Sequence, residues 1–159
     1  MLPMKTLLVL FSYNHNNTEK VANVFAKVLD AQIKTPQQTS PEELQEYGLV
    51  GFGSGIDSDR HYQVLLDFAD KLTQLKNKSA FIFSTSAMTG EEKLVKDHAV
   101  LREKLQSKGF KIVDEFQCLG FNTNGFLKLF GGMNKDRPNV EDLKNAEEFA
   151  MNLKKRLQT

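Results

Sequence analysis

Between Leu10 and Ala22 the chain reads LFSYNHNNTEKVA, a polar loop set between an apolar run and an amphipathic one. Ahead of it, Thr6 to Phe11 (TLLVLF) is continuously apolar, the pattern of a strand buried on both faces. Behind it, Val21, Phe25, Val28 and Leu29 recur at helical spacing, which predicts a helix over Thr18 to Leu29. Serine, three asparagines, histidine and threonine share the loop, with no acidic residue before Glu19. Such a loop asks what it holds, and the rest of the chain narrows the answer.

The strand–loop–helix alternation continues. AQIKT is a short strand, and SPEELQEY carries a helix start with Ser40 as N-cap, Pro41 in the first turn and Glu43 completing a capping box. LVGFG, Leu49 to Gly53, and AFIFS, Ala80 to Ser84, are two more buried strands. Leu65, Phe68, Ala69, Leu72 and Leu75 form one stripe, predicting a helix from His61 to Leu75; Leu94, His98, Leu101 and Leu105 stripe another, closed by Gly109. FKIVDEFQCLG alternates as an edge strand does, and Val140, Leu143, Ala146, Ala150 and Leu153 mark a last helix capped by Asn139. Strands alternating with helices, the central ones apolar throughout, imply an α/β fold with a doubly wound parallel sheet. Ligands of such sheets sit outside the carboxyl ends of the strands at the switch point. Three strand ends here lead into polar or glycine-bearing loops, SYNHNNT, GSGIDSD and STSAMTG, and these converge on one edge.

The first loop opens onto a helix N-terminus, where unpaired backbone N–H groups and the helix dipole favour an anion. Ser12, Asn14, Asn16, Asn17 and Thr18 add neutral donors, and His15 can donate in either protonation state. A phosphate fits this cradle, as does a plainly capped helix start. No G-x-x-x-x-G-K-[ST] motif is present, so the loop is not that of a nucleoside triphosphatase, and no G-x-G-x-x-G follows the first strand. FSYNH also lacks the carboxylates with which a receiver domain holds magnesium.

Composition sets the outer limits. At 159 residues, with 40% apolar and 26% charged residues, the chain is expected to form a single domain, residues 1–159. Its 21 basic and 20 acidic residues give a formal net charge of +1, and no block of one sign suggests a nucleic acid or a membrane as the main partner. The apolar run Leu7 to Phe11 is far too short to span a membrane. A lone cysteine, Cys118, excludes an intramolecular disulfide framework and makes a cytoplasmic location the expectation.

SYNHNNTEKVA resembles the phosphate-binding loop of the flavodoxin family, where a serine or threonine begins the loop and NTE opens the helix. LVGFGSGI, FSTSA and GMNKDRPNVEDLKNAEEFA extend the resemblance over essentially the whole chain, toward the subgroup that includes flavodoxin-type protoporphyrinogen oxidase. The resemblance implies a five-stranded parallel sheet of order 2-1-3-4-5 and a bound flavin mononucleotide (FMN). Carried over by position, Ser12, His15, Asn16, Asn17 and Thr18 would hold the phosphate. Ser54, Gly55, Ile56 and Asp57 would border the isoalloxazine ring on one side, and Thr85, Ser86 and Ala87 on the other. Asn16 replaces the family's usual glycine, and asparagine tolerates left-handed backbone better than most residues. The chain has no tryptophan, and Asp57 stands where related sequences often carry an aromatic, so either Ile56, His61 or Tyr62 flanks the ring or one ring face stays open for substrate.

The implied function is electron transfer through the flavin's exposed edge to a redox partner protein or a small-molecule acceptor. The alternatives are a flavin-dependent oxidoreductase acting on a quinone, porphyrinogen or similar molecule, and a binding or regulatory module that has lost the flavin. No side chain is required as a catalytic acid or base. Cys118 reads as a buried structural thiol, His98 as a packed core residue, and His61 as a helix-start residue. Gly120 to Asn139, with Phe121, Phe126, Leu127, Leu129 and Phe130 among glycines and asparagines, reads as either a packing loop or a cover over the flavin.

Overall fold

The computed structural model describes residues 4–12, 16–120, 134 and 136–157. Five strands form the parallel sheet: β1 (Thr6–Phe11), β2 (Gln32–Lys34), β3 (Leu49–Asp57), β5 (Lys78–Ser86) and β6 (Phe110–Leu119), in the order β2-β1-β3-β5-β6. A two-residue strand, β4 (Arg60–His61), folds back antiparallel on the end of β3. Leaving β4 aside, the order is the expected 2-1-3-4-5. The helices are α1 (Asn17–Leu29), α2 (Gln63–Asp70), α3 (Glu91–Asp97), α4 (Ala99–Ser107) and α5 (Val140–Leu157).

The pleat divides the core in two. Leu7 and Val9 of β1, Val50 and Phe52 of β3, and Ala80 and Ile82 of β5 face α2 and α4. Leu8, Leu10, Phe81 and Phe83 face α1 and α5, where Phe25 packs against Phe81, Phe83, Phe116 and Phe149 with centroids 5.1–5.6 Å apart. Pairs of this kind contribute roughly 0.5–1.5 kcal/mol each beyond area burial. The β3 glycines make this layer possible. A Cβ on Gly51 would fall 2.4 Å from the Phe81 ring, and one on Gly53 would fall 2.2 Å from Phe83.

Three local expectations are corrected. Pro41–Glu46 is a 3-10 helix with no side-chain cap from Ser40, because Ser40 Oγ donates to Glu42 and Glu43 is drawn to Lys34 at 2.9 Å. A capping box forms upstream instead, between Thr35 and Gln38. The predicted helix His61 to Leu75 is confined to α2; its first residue, His61, pairs in β4 instead, although Leu72 and Leu75 stay buried. The stripe from Leu94 to Leu105 is broken at His98 into α3 and α4. By contrast β6 is the sheet edge, and Asn139 caps α5, its Oδ1 accepting from Asp142 N at 2.9 Å.

Candidate functional site

The carboxyl ends of β1, β3 and β5 lie side by side, with Phe11 opposite Ser54 and Gly55 opposite Thr85. β1 ends at Phe11, and Ser12 follows with its hydroxyl buried and without a hydrogen-bond partner among the described residues. Asn16 then turns the chain into α1 at φ 52°, ψ 37°. This is the left-handed conformation that glycine adopts freely and asparagine tolerates. Asn16 makes no side-chain cap bond to the first turn of α1, whose N–H groups point out of the helix start. Thr18, 2% exposed, shares a hydrogen bond of 2.9 Å with Thr85 across the sheet end. The first and fourth strand-end loops therefore meet. β6 joins them: Gly120 N donates to Ser86 O at 2.9 Å, and a Cβ on Gly120 would fall 2.7 Å from Asn17 Nδ2. His15 lies outside the described residues.

The β3 loop is built differently. Ser54 is fully buried, its Oγ donating to Gly55 O at 2.7 Å and accepting from Tyr62 N at 3.1 Å. Ile56 is buried and pairs with His61, while Asp57, exposed, pairs with Arg60 across the hairpin. Of the three residues left to flank a ring, Ile56 and His61 are turned inward, and Tyr62 keeps exposed surface. The Tyr62 ring lies over the ends of β1 and β3, edge-on to Phe11 at 6.0 Å. A Cβ on Gly55 would come within 2.4 Å of Tyr62 Oη, so only glycine admits this placement. On the other side, Ser86 Oγ donates to Met88 O and Ala87 O accepts from Asn134 Nδ2 at 2.8 Å.

Beneath these loops, on the α4 side, lies a buried polar network that the sequence reading did not assemble. His98 stands between Ser84 Oγ (2.7 Å from Nε2) and Glu115 Oε1 (2.8 Å from Nδ1), and Arg102 forks onto both Glu115 oxygens at 2.7 Å. Burial opposes the charge on Glu115, but hydrogen bonds from His98 and Arg102 prevail and hold its carboxyl down to about 2. Serine, histidine and glutamate in this order are not a hydrolytic triad here, since Ser84 and His98 are 2% and 0% exposed. His98 is the packed, satisfied core residue expected of it. His61 is not at a helix start; it lies in β4, is 1% exposed and packs against His98 with ring centroids 4.9 Å apart and the planes tilted by 46°. A β-bulge in β6 decides who joins the network. Ala80 pairs with Ile112 but Phe81 with Asp114, which turns Glu115 onto the α4 face.

Cys118 is buried, and burial pushes its thiol up to about 12, in keeping with a structural role. Residues 121–133 and 135, which hold the five apolar residues of the long connection, lie outside the described residues. Its end is anchored: Arg137 forks onto Asp142 at the start of α5.

Residues 8–155 match the flavodoxin domain family. The chain belongs to the flavodoxin family. A relative from Methanocaldococcus jannaschii, itself uncharacterised, is 45% identical over 152 residues, spanning 96% of this chain and 99% of the relative. Among solved structures, oxidised flavodoxin 2 from Bacillus cereus matches with a TM-score of 0.72 at 20% identity, covering 96% of this chain and 99% of that one. Fusobacterium nucleatum flavodoxin bound to flavin mononucleotide matches with a TM-score of 0.65 at 11% identity, covering 96% and 99%. At these identities the two structures show the shared fold alone. No described helix of this flavodoxin-family chain is long and apolar enough to cross a membrane.

Proposed function

We propose that this protein binds FMN noncovalently and carries electrons between redox partners in the cytoplasm. The observation that carries the reading is the buried Ser12 hydroxyl, lacking a hydrogen-bond partner among the described residues, near the start of α1, where Asn16 gives no side-chain cap. An orphaned buried hydroxyl costs roughly 1–3 kcal/mol, and a phosphate oxygen seated at the helix start relieves that cost. Ser12, Asn16, Asn17 and Thr18, with His15, would hold the phosphate. Gly55 to Asp57 and Thr85 to Ala87 would border the ring, and the Tyr62 ring would serve as its aromatic neighbour. FMN supplies one- or two-electron chemistry when bound; the protein's own residues orient it and limit water. The FMN-bound relative of the same fold supports the choice of cofactor.

Titration of the apoprotein with FMN and with riboflavin tests this reading. About one FMN per chain is expected, bound at least tenfold more tightly than riboflavin because only FMN fills the cradle. Equal affinity for the two would sink the phosphate assignment, and failure of both to bind at micromolar concentration would leave the flavin-free module.

One feature favours a second reading, a flavin-dependent oxidoreductase related to flavodoxin-type protoporphyrinogen oxidase. Carrier flavodoxins are typically strongly acidic, whereas this chain carries a net charge of +1 and has no strong overall field to steer a basic reductase. Stopped-flow reduction separates the two. Reduction only through a reductase, with weak salt dependence, supports the carrier; rapid reduction by NADPH alone with quinone turnover supports the enzyme.

A further inference from the structure

The β3–β4 hairpin borders the candidate ring site, yet its turn is not what holds it there. Ser58 and Asp59, the two central residues, have φ of 55° and 61°. A turn of this kind favours asparagine and glycine, and serine adopts it poorly. Asp59 reaches Lys96 at 3.2 Å and Lys93 at 3.8 Å, but these pairs lie at the surface. The buried anchor is His61. Its Nε2 lies 3.1 Å from Phe83 O, and because a carbonyl only accepts, Nε2 carries the proton of the neutral ring. Nδ1 is then the unprotonated nitrogen, and it is buried.

The ionisable groups around His61 come from every element packed on it. They are His98 at the head of α4, Asp97 at the end of α3 with Lys93 on its Oδ2 at 2.6 Å, and Glu115 of β6 forked by Arg102. Glu115 and the backbone carbonyls of Phe83 and Asp97 favour a proton on the His61 ring. Burial opposes it first and His98 second, and together they push His61 down to about 3.

We propose that His61 is the positioning residue of the ring-side hairpin and holds it only as a neutral imidazole, so that proton uptake by His61 frees residues 57–61 and loosens the flavin site. The final clause rests on the FMN reading above. An exposed histidine binds a proton near its ordinary value of about 6.5, which the closed ring refuses. Each pH unit below that value therefore favours the open hairpin by up to about tenfold.

Hydrogen–deuterium exchange on the full-length apoprotein, corrected for intrinsic exchange, reads the opening of residues 57–61 directly. Between about pH 8 and pH 5 the wild-type opening equilibrium is expected to rise below pH 6.5 with a slope approaching tenfold per unit. His61→Gln keeps a donor for Phe83 O but cannot titrate, so its opening should be flat with pH. Side-chain nitrogen NMR of the wild type supplies a readout independent of any variant: His61 should remain the neutral Nε2–H tautomer while the hairpin is closed. A pH-independent hairpin in the wild type, an unchanged slope in His61→Gln, or a charged His61 in the closed state would each overturn the proposal. In parallel, wild-type FMN affinity should weaken below pH 6.5 with the same slope, and that of His61→Gln should not. Absence of FMN binding at every pH would overturn the flavin reading, while the exchange data still decide the hairpin.

Discussion

Two loops border the same sheet edge and are built on opposite principles. The loop after β1 leads directly from a buried strand into α1, and its described polar groups are neighbours in sequence: Ser12, Asn16 and Thr18. The hydrogen bond shared by Thr18 and Thr85 ties it to a distant strand. The hairpin after β3 is held from far away, by Phe83, His98 and the Glu115–Arg102 pair beneath it. The described polar groups of the first loop, hydroxyls and amides, do not titrate near neutrality. A loop pegged by a buried histidine inherits that residue's protonation. The comparison teaches that two sides of one ligand site can answer to different conditions.

Acid distinguishes the two regions most strongly. His61 binds a proton near 6.5 when unfolded and only near about 3 when folded, so below pH 6.5 the unfolded state holds more protons and stability falls with pH. Glu115 acts in the same direction: its stabilisation is complete above about 4.5 and is lost as pH falls toward about 2. Urea denaturation of the apoprotein at pH 7 and pH 4 should therefore differ by about 3 kcal/mol, mostly from His61. His61→Gln should remove most of that difference. A wild type equally stable at both values would erase the contrast between the two loops.

Thr18→Val comes next in size. It keeps the shape but leaves the Thr85 hydroxyl unpaired in the interior, costing about 1–2 kcal/mol of stability in the same denaturation assay. If Thr18 also meets the phosphate, FMN affinity should drop by roughly ten- to a hundredfold, since a hydrogen bond to a charged group contributes about 1.5–3 kcal/mol. Unchanged affinity would remove Thr18 from the cradle while leaving its structural bond intact.

The smallest effects sharpen the contrast in backbone strain. Asn16→Gly replaces a tolerant residue with a permissive one at φ 52° and should shift stability by no more than about 0.5 kcal/mol. Ser58→Gly at φ 55° relieves a residue ill suited to its turn and should stabilise by about 1 kcal/mol. Equal responses at the two positions, in thermal denaturation, would show that the hairpin turn is no more strained than the cradle.

The α/β class, the five parallel strands, the first helix to within one residue of its start and the left-handed tolerance of Asn16 were legible in the sequence, because each depends on residues within a few positions of one another. Its apolar stripes also marked much of the core, although Val140, on the last stripe, is exposed. Leu72 and Leu75 kept to their stripe even where the helix did not, because a hydrophobic stripe reports a shared face and not a backbone conformation. Only the tertiary structure decided that His61 leaves the helix to pair with Ile56, since that pairing depends on β3 ending beside it. It alone decided that Glu115 faces His98. A single extra residue in the β6 bulge reverses the face on which every later side chain of the strand projects, and no periodicity in the sequence marks where that slip occurs. The ring-side network joins Ser84, His98 and Glu115, residues 14 and 17 positions apart at its two bonds, and such contacts exist only once the sheet has closed.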